Sequence, residues 1–394
     1  MRVADDGRTI EASEPRGALA RYEAMSHTAL AQAASRRSGA ALSRRGFMGA
    51  ALALACAGAL PWLSGCSSGQ ADGSAGDGAQ GAPDRGVTGS VTPDDQVQST
   101  TAFLFDTVIE IKAACDAETI ERVSQRMQYF EDKFSRTIEG TDIWNINAAG
   151  GAPVEVAPET ADIITRAIAF SEESGGLFDI SIGAVSSLWD FVNAVKPSDE
   201  AIAEAVKHVD YRTITVDGTT VTLSDPKAML DLGGIAKGYI TDDLVGILHD
   251  GGCKDAFLNL GGNVYVMGNS FDGDEWNVGV QDPNGQFNDG IASIKCADTS
   301  VVTSGLYERS FTQDGVLYYH ILDPKTGYPV KTDLESASIT CEESTRGDAY
   351  STILFLMGHD AAMDLINSDD RLQGVLVDDN GVATTSEGSD FVLL

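Results

Sequence analysis

Met229-Leu230-Asp231-Leu232-Gly233-Gly234-Ile235-Ala236-Lys237-Gly238-Tyr239 is the stretch on which the fold turns. Met229 to Leu232 reads as a strand, the Gly pair as a break, and Ile235 to Leu248 as a helix. At such a junction backbone groups can approach a ligand closely, and amides at the helix start can receive an anion. The spacing from Gly to Gly-Lys is wrong for a Walker loop, and for Lys237 taken alone a solvated helix lysine is the plainer reading.

Upstream, Phe103, Phe105, Thr107, Ile109 and Ile111 alternate as in a half-buried strand, and Ile120, Val123, Met127, Phe130 and Phe134 recur as on one helix face. Helices are expected at 158–173 and 198–208, with a hairpin turning at Asp217-Gly218. Downstream, strands are expected near 256–260, 264–267, 276–280, 301–302, 318–322 and 336–341. Helices are expected at 347–356 and 361–366, with a last hairpin turning at 379–381. Strands outnumber helices and the short connections favour antiparallel pairing, so the fold class is α+β and not a regular βαβ array.

The 394 residues carry 59 acids against 27 bases, a formal charge of −32. That excess repels polyanions and argues against nucleic acid or an anionic lipid surface as a broad partner. With 43% hydrophobic residues the chain can still bury a core. Six cysteines are too sparse for a disulfide scaffold.

Charge is unevenly spread. Residues 1–66 hold 8 Arg and 5 acids, net +3, which leaves net −35 for the remainder. Ser43-Arg44-Arg45-Gly46-Phe47-Met48 precedes an apolar run from Gly49 to Leu60, too short to span a bilayer but suited to a signal peptide. The Arg pair resembles a twin-arginine export signal, and Leu63-Ser64-Gly65-Cys66 resembles a lipobox with Cys66 as the lipidated residue. The expectation is a signal peptide over 1–65, a lipid-anchored flexible linker over 66–97, and a catalytic domain over 98–394. A formal GxGxxG at Gly76–Gly81 lies in the Gly/Ser-rich linker without flanking strand or helix, so it supports no dinucleotide fold.

Three further segments combine Gly, an acid and a polar group where a strand meets a turn. Gly175-Gly176-Leu177-Phe178-Asp179-Ile180-Ser181-Ile182-Gly183 is followed by Leu188-Trp189. Tyr319-His320-Ile321-Leu322-Asp323-Pro324-Lys325-Thr326-Gly327 places a histidine before a turn; it is either a core histidine or the chain's best general base. In Thr345-Arg346-Gly347-Asp348-Ala349-Tyr350-Ser351-Thr352, Asp348 and Thr352 share a helix face and offer hard oxygen ligands suited to Mg²⁺. A capping box, with Thr345 as cap and Asp348 at N3, explains the same spacing equally well.

Taken in order, these segments resemble the ApbE family of flavin transferases. The resemblance also includes Asn259-Leu-Gly-Gly-Asn263 and Thr303-Ser-Gly305, and it runs from about Thr101 to the end of the chain. It implies largely antiparallel sheets with packed helices and an FAD and metal site in a cleft between lobes. It implies Mg²⁺, or Mn²⁺, held by the Gly234 carbonyl, Asp348 and Thr352, and FAD contacts from Phe105, Leu177, Phe178, Asp179, Lys237 and Leu322. Phe105 stands where many members have Met. His320 is then the base that activates an acceptor Thr as FMN moves from FAD to an exported protein, with AMP released. Implied acceptors are FMN-binding domains of Rnf- and Nqr-like subunits or extracellular flavin reductases, reached from the outer face of the cytoplasmic membrane. Two other readings stay open: a metal-dependent FAD pyrophosphatase, and a non-enzymatic FAD-binding lipoprotein.

Overall fold

In this computed structural model the described residues are 97–286 and 289–394. The export signal, Cys66 and the linker therefore lie outside them. In chain order come β1 (Val97–Leu104), β2 (Thr107–Ala114), α1 (Ala117–Phe134), α2 (Asp142–Ala148), β3 (Val154–Glu155), α3 (Pro158–Glu173), α4 (Gly183–Ser186) and α5 (Asp199–Ala205). Next are β4 (Ile214–Asp217), β5 (Thr220–Leu223), α6 (Ala236–Asp250), β6 (Ala256–Leu260), β7 (Asn263–Met267), β8 (Trp276–Gln281), β9 (Gly290–Cys296) and β10 (Thr299–Gly305). The chain closes with β11 (Ser310–Gln313), β12 (Val316–Tyr319), β13 (Leu334–Cys341), α7 (Ser344–Met357), α8 (His359–Ser368), β14 (Gln373–Asp378), β15 (Ala383–Thr385) and β16 (Val392–Leu393).

The frame is one eight-stranded sheet in the order β1-β2-β6-β7-β10-β13-β14-β15, every pairing antiparallel. Period-two alternation on β2 buries Ile109, Ile111 and Ala113 on one face. Against that face packs α1, whose Val123, Met127, Phe130 and Phe134 stripe is buried and whose N-terminus is capped by Asp116. Truncating the wholly buried Phe130 to Ala would cost about 3–5 kcal/mol. Beside α1 lie α6 and α7, which contribute Leu244, Leu248, Leu354 and Phe355 to the same core. The opposite face is covered by the small sheet β8-β9-β16, joined through Val266, Val280, Ile294, Val301 and Phe391. A third cluster, Val185, Trp189, Ile202, Phe311 and Leu322, sits beneath the β11–β12 hairpin.

Two expectations need correction. The alternating run from Phe103 to Ile111 is a tight hairpin and not one strand: Phe105 and Asp106 take φ of 54° and 59°, which turns β1 into β2. The Phe105 N–H donates to Glu131 Oε2 on α1 at 2.8 Å, so a helix contact holds a backbone that a bulky residue avoids. Met229 to Leu232 is extended but makes only one bridge, Met229 with Ile182, so its apolar character reflects burial and not sheet membership. The described residues fall within one compact unit, so the groups of the site described below belong to one body. Among them no helix is long and apolar enough to cross a membrane.

Candidate active site

The turn before α6 is built by Asp231. Its Oδ1 accepts from Gly233 N–H at 2.9 Å, while Oδ2 accepts from Ser186 Oγ at 2.6 Å and pairs with Arg136 Nε at 3.1 Å. Burial alone would raise this carboxyl, but Arg136, Ser186 and the Gly233 amide hold it below the usual range. The Gly233-Gly234 turn is thereby fixed in place.

Helices α6 and α7 then meet closely. A Cβ on Gly238 would lie 2.3 Å from the Ser344 carbonyl oxygen and 2.8 Å from Asp348 Cβ, so only Gly permits this approach. It lets Asp348, 3% exposed, reach from α7 to the first turn of α6. There Oδ2 accepts from Gly238 N–H at 2.9 Å and Oδ1 pairs with Lys237 Nζ at 3.1 Å. The capping-box reading of Asp348 is not what forms. The start of α7 is capped from α6 by Asp242, which accepts from the Ser344 and Thr345 amides at 2.8 Å each. That leaves Asp348 to cap the neighbouring helix and to line the site.

One turn on from Asp348, Thr352 Oγ1 lies 3.6 Å from the point that a Cβ on Gly234 would fill. Among the described residues its hydroxyl makes one hydrogen bond, a long one of 3.4 Å to the Asp348 carbonyl. A carboxylate and a hydroxyl with spare lone pairs thus lie beside the Gly234 turn, and these are hard-oxygen donors of the kind that hold Mg²⁺ or Mn²⁺. Among the described residues no three His, Cys, Asp or Glu side chains group to hold a metal, so a metal here must rely on the hydroxyl and carbonyl.

His320 ends the β11–β12 hairpin, its N–H donating to the Arg309 carbonyl at 3.1 Å. The ring is half-buried in the cleft wall, with Nδ1 enclosed and without a partner and Nε2 3.9 Å from Glu308 Oε2. Desolvation, reinforced by Arg309 and Lys237, brings its pKa down to about 4, so the imidazole is neutral at ordinary pH and able to accept a proton. The bland core reading of this histidine is therefore incomplete.

The expected FAD-contact residues are placed differently from one another. Phe178 is buried with its ring edge 3.0 Å from the would-be Cβ of Gly234, so it braces the same turn. Leu177 is half-buried beside it, and Phe105 stands at the β1–β2 turn, where the Asp106 carbonyl accepts from Arg309 Nη2 at 3.2 Å. Asp179 is engaged by protein: it accepts from Ser181 N–H and Oγ and from Tyr211 N–H. Burial pushes its carboxyl up, and these three donors oppose the shift. Leu322, 6% exposed, packs in the third cluster. Asp179 and Leu322 are both buried and present little surface to a ligand. Open depressions elsewhere, about 660 Å³ beside Arg346 and 270 Å³ beside Asp242, include none of the expected site residues.

Three residues of the cleft were not anticipated as site residues: Asp231, Glu308 and Arg309. Asp231 was visible within the 229–239 stretch as an acid two residues before a Gly pair. Glu308 and Arg309 follow Thr303-Ser-Gly305 on an irregular connection, and no local periodicity aims them at His320.

A family model described as the ApbE family matches residues 105–376. The chain belongs to the ApbE family. An FAD:protein FMN transferase of Treponema pallidum (strain Nichols) is 37% identical over 266 residues, covering 63% of this chain and 73% of that protein. Another, of Klebsiella pneumoniae (strain 342), is 33% identical over 293 residues, covering 73% of this chain and 91% of that protein. The crystal structure of the ApbE protein of Thermotoga maritima MSB8 superposes with a TM-score of 0.68 at 35% identity, covering 74% of this chain and 97% of that one. The flavin transferase ApbE of Vibrio cholerae, at 22% identity and a TM-score of 0.66, shares the fold. The α+β architecture with antiparallel sheets is thus that of ApbE proteins.

Proposed function

We propose that this chain is a Mg²⁺-dependent FAD:protein FMN transferase that joins FMN to a Thr hydroxyl of an exported protein and releases AMP. The observation that carries the reading is the convergence of Gly234, Lys237, Asp348 and Thr352 at the first turn of α6. His320 opens onto the same cleft, where Lys237 is near enough to lower its pKa.

In this reading His320 Nε2 takes the proton as the acceptor oxygen attacks the FMN phosphorus. The bond from that phosphorus to the bridging oxygen breaks, and the electron pair leaves with AMP. Lys237 and the positive end of α6 hold the pyrophosphate, which a surface of net −35 beyond residue 66 otherwise repels. Mg²⁺, when bound by Asp348, Thr352 and the Gly234 carbonyl, supplies charge neutralisation of the phosphoryl oxygens. Asp231 holds the turn that aims the carbonyl, and Phe178 packs beneath it. Water in place of the acceptor would make the same groups an FAD pyrophosphatase.

The test is incubation of the protein with FAD, Mg²⁺ and an FMN-binding domain carrying a Ser/Asp-Gly-Ala-Thr acceptor, followed by intact mass measurement. An FMN-sized gain with AMP release is expected. Free FMN beside unmodified acceptor indicates the hydrolase, and intact FAD indicates a binder.

The site of action follows from the amino-terminal sequence alone. Export through a twin-arginine signal and diacylation at Cys66 would anchor the enzyme on the outer face of the cytoplasmic membrane, since two acyl chains give stable attachment. Fatty-acid labelling that persists in Cys66→Ala would remove this assignment.

A further inference from the structure

Glu308 is a carboxylate without an assigned task. It lies between β10 and β11, and its Oε2 stands 3.9 Å from His320 Nε2. Its Oε1 lies 3.0 Å from the point that a Cβ on Gly262 would fill, so the side chain reaches across the Gly261-Gly262 turn into the cleft. Among the described residues its one ion-pair contact is with His320, which is charged only when protonated. The ring's other nitrogen, Nδ1, is enclosed and has no hydrogen-bond partner. Nε2 is therefore the atom that meets an acceptor hydroxyl, and Glu308 is the carboxyl beside that atom; burial pushes this carboxyl up, and Lys237 and Arg309 oppose the shift.

We infer that Glu308 is a positioning residue for His320: it orients the ring toward the acceptor and stabilises the imidazolium that forms when the acceptor hydroxyl gives up its proton. This rests on the transferase reading of the same site. The chemistry requires such a partner. The charged groups around the ring are Arg309 before β11, Lys237 on α6, Asp231 before α6, and Glu308. The two cations disfavour a proton on His320, and Asp231 is already committed to Arg136, Ser186 and Gly233. A carboxylate 3.9 Å away that closes to contact distance as the ring charges offsets that penalty at the step where it arises. No atom is exchanged with Glu308: the proton passes from acceptor oxygen to Nε2 and leaves to solvent after AMP departs.

The role has a signature that a structural one lacks. When ionised, Glu308 opposes binding of the FAD pyrophosphate beside Lys237 while aiding the proton transfer. In E308Q, of nearly the same shape, turnover at saturating FAD and acceptor should fall about tenfold. The Kd for FAD, read by flavin fluorescence, should stay equal or become tighter. His320 is active when neutral, so activity is lost as pH falls through its pKa. Burial raises the Glu308 carboxyl above its ordinary range, so it is protonated before a ring whose pKa is about 4, and the acid limb of kcat should stay in place in E308Q. E308D, which keeps the charge, should recover part of the rate. Wild-type turnover in E308Q, or a rate loss matched by weaker FAD binding, would each overturn the inference. If the wild-type protein itself transfers no FMN, the transferase reading fails instead, and the two failures are told apart in one assay.

Discussion

Gly238→Ala probes the contact that would assemble the proposed metal and pyrophosphate cradle. The added Cβ would stand 2.3 Å from the Ser344 oxygen, 2.7 Å from its carbonyl carbon and 2.8 Å from Asp348 Cβ, where ordinary contact begins at 3.4 Å. Two of these three atoms are backbone, so side-chain rotation does not relieve the clash, and α6 and α7 must separate by about 1 Å. Overpacking of this kind costs about 1–3 kcal/mol, which for a domain of this size lowers Tm by roughly 2–4 °C per kcal/mol. The functional loss should be larger in proportion. Lys237 and Gly234 ride on or next to α6, Asp348 and Thr352 on α7, and a displacement of about 1 Å at reacting groups costs about 10²-fold in rate. The assays are thermal unfolding by circular dichroism and FMN transfer by intact mass at saturating FAD. A variant with wild-type Tm and wild-type turnover would refute the argument that this glycine sets the geometry.

Asp348→Ala should abolish transfer while the chain still folds with a lowered Tm, because it leaves Lys237 and the Gly238 amide without their partner; full activity would remove Asp348 from the site. His320→Ala should retain FAD binding and slow transfer by about 10²–10⁴-fold, as read by single-turnover mass measurements. Because the His320 pKa is lowered to about 4, transfer by the wild type should persist below pH 6.5, and a kcat profile falling at the ordinary histidine value would contradict its environment. The same shift means that the unfolded chain binds more protons between about 4 and 6.5, so this residue's contribution to stability is lost as pH falls through that window, which urea titrations at each pH would show. Asp242→Ala should uncap α7 and cost about 1–2 kcal/mol, visible as a lower urea midpoint with an unchanged slope.

Much of the frame was legible because long periodic segments report their burial directly. The expected span 158–173 is α3 itself, and 256–260 is β6. The hairpin within 103–111 was hidden because its turn, Phe105-Asp106, lacks the glycine that usually marks positive φ, and a tertiary contact to Glu131 holds it. Of the four segments singled out for chemistry, Phe178, Lys237, Asp348 and Thr352 lie around the start of α6, and His320 is near enough to feel Lys237, whereas Asp179 and Leu322 are turned into the protein. What spacing could not separate was capping from ligation at Asp348. That choice depended on Asp242, a residue 106 positions away that caps α7 in its place. Glu308 was invisible for a similar reason: an irregular connection has no periodicity from which to read direction.

The pairing of Lys237 with Asp348 has a consequence for how the enzyme is put together. The buried carboxylate carries its own counter-charge and an amide donor within the chain, so its burial does not depend on an added ion. On the metal-dependent reading proposed above, folding and metal loading would be separate events, and the protein would be complete in shape before it is competent in chemistry. Availability of the divalent ion would act as a reversible setting on activity, leaving the scaffold intact whether the ion is present or withdrawn.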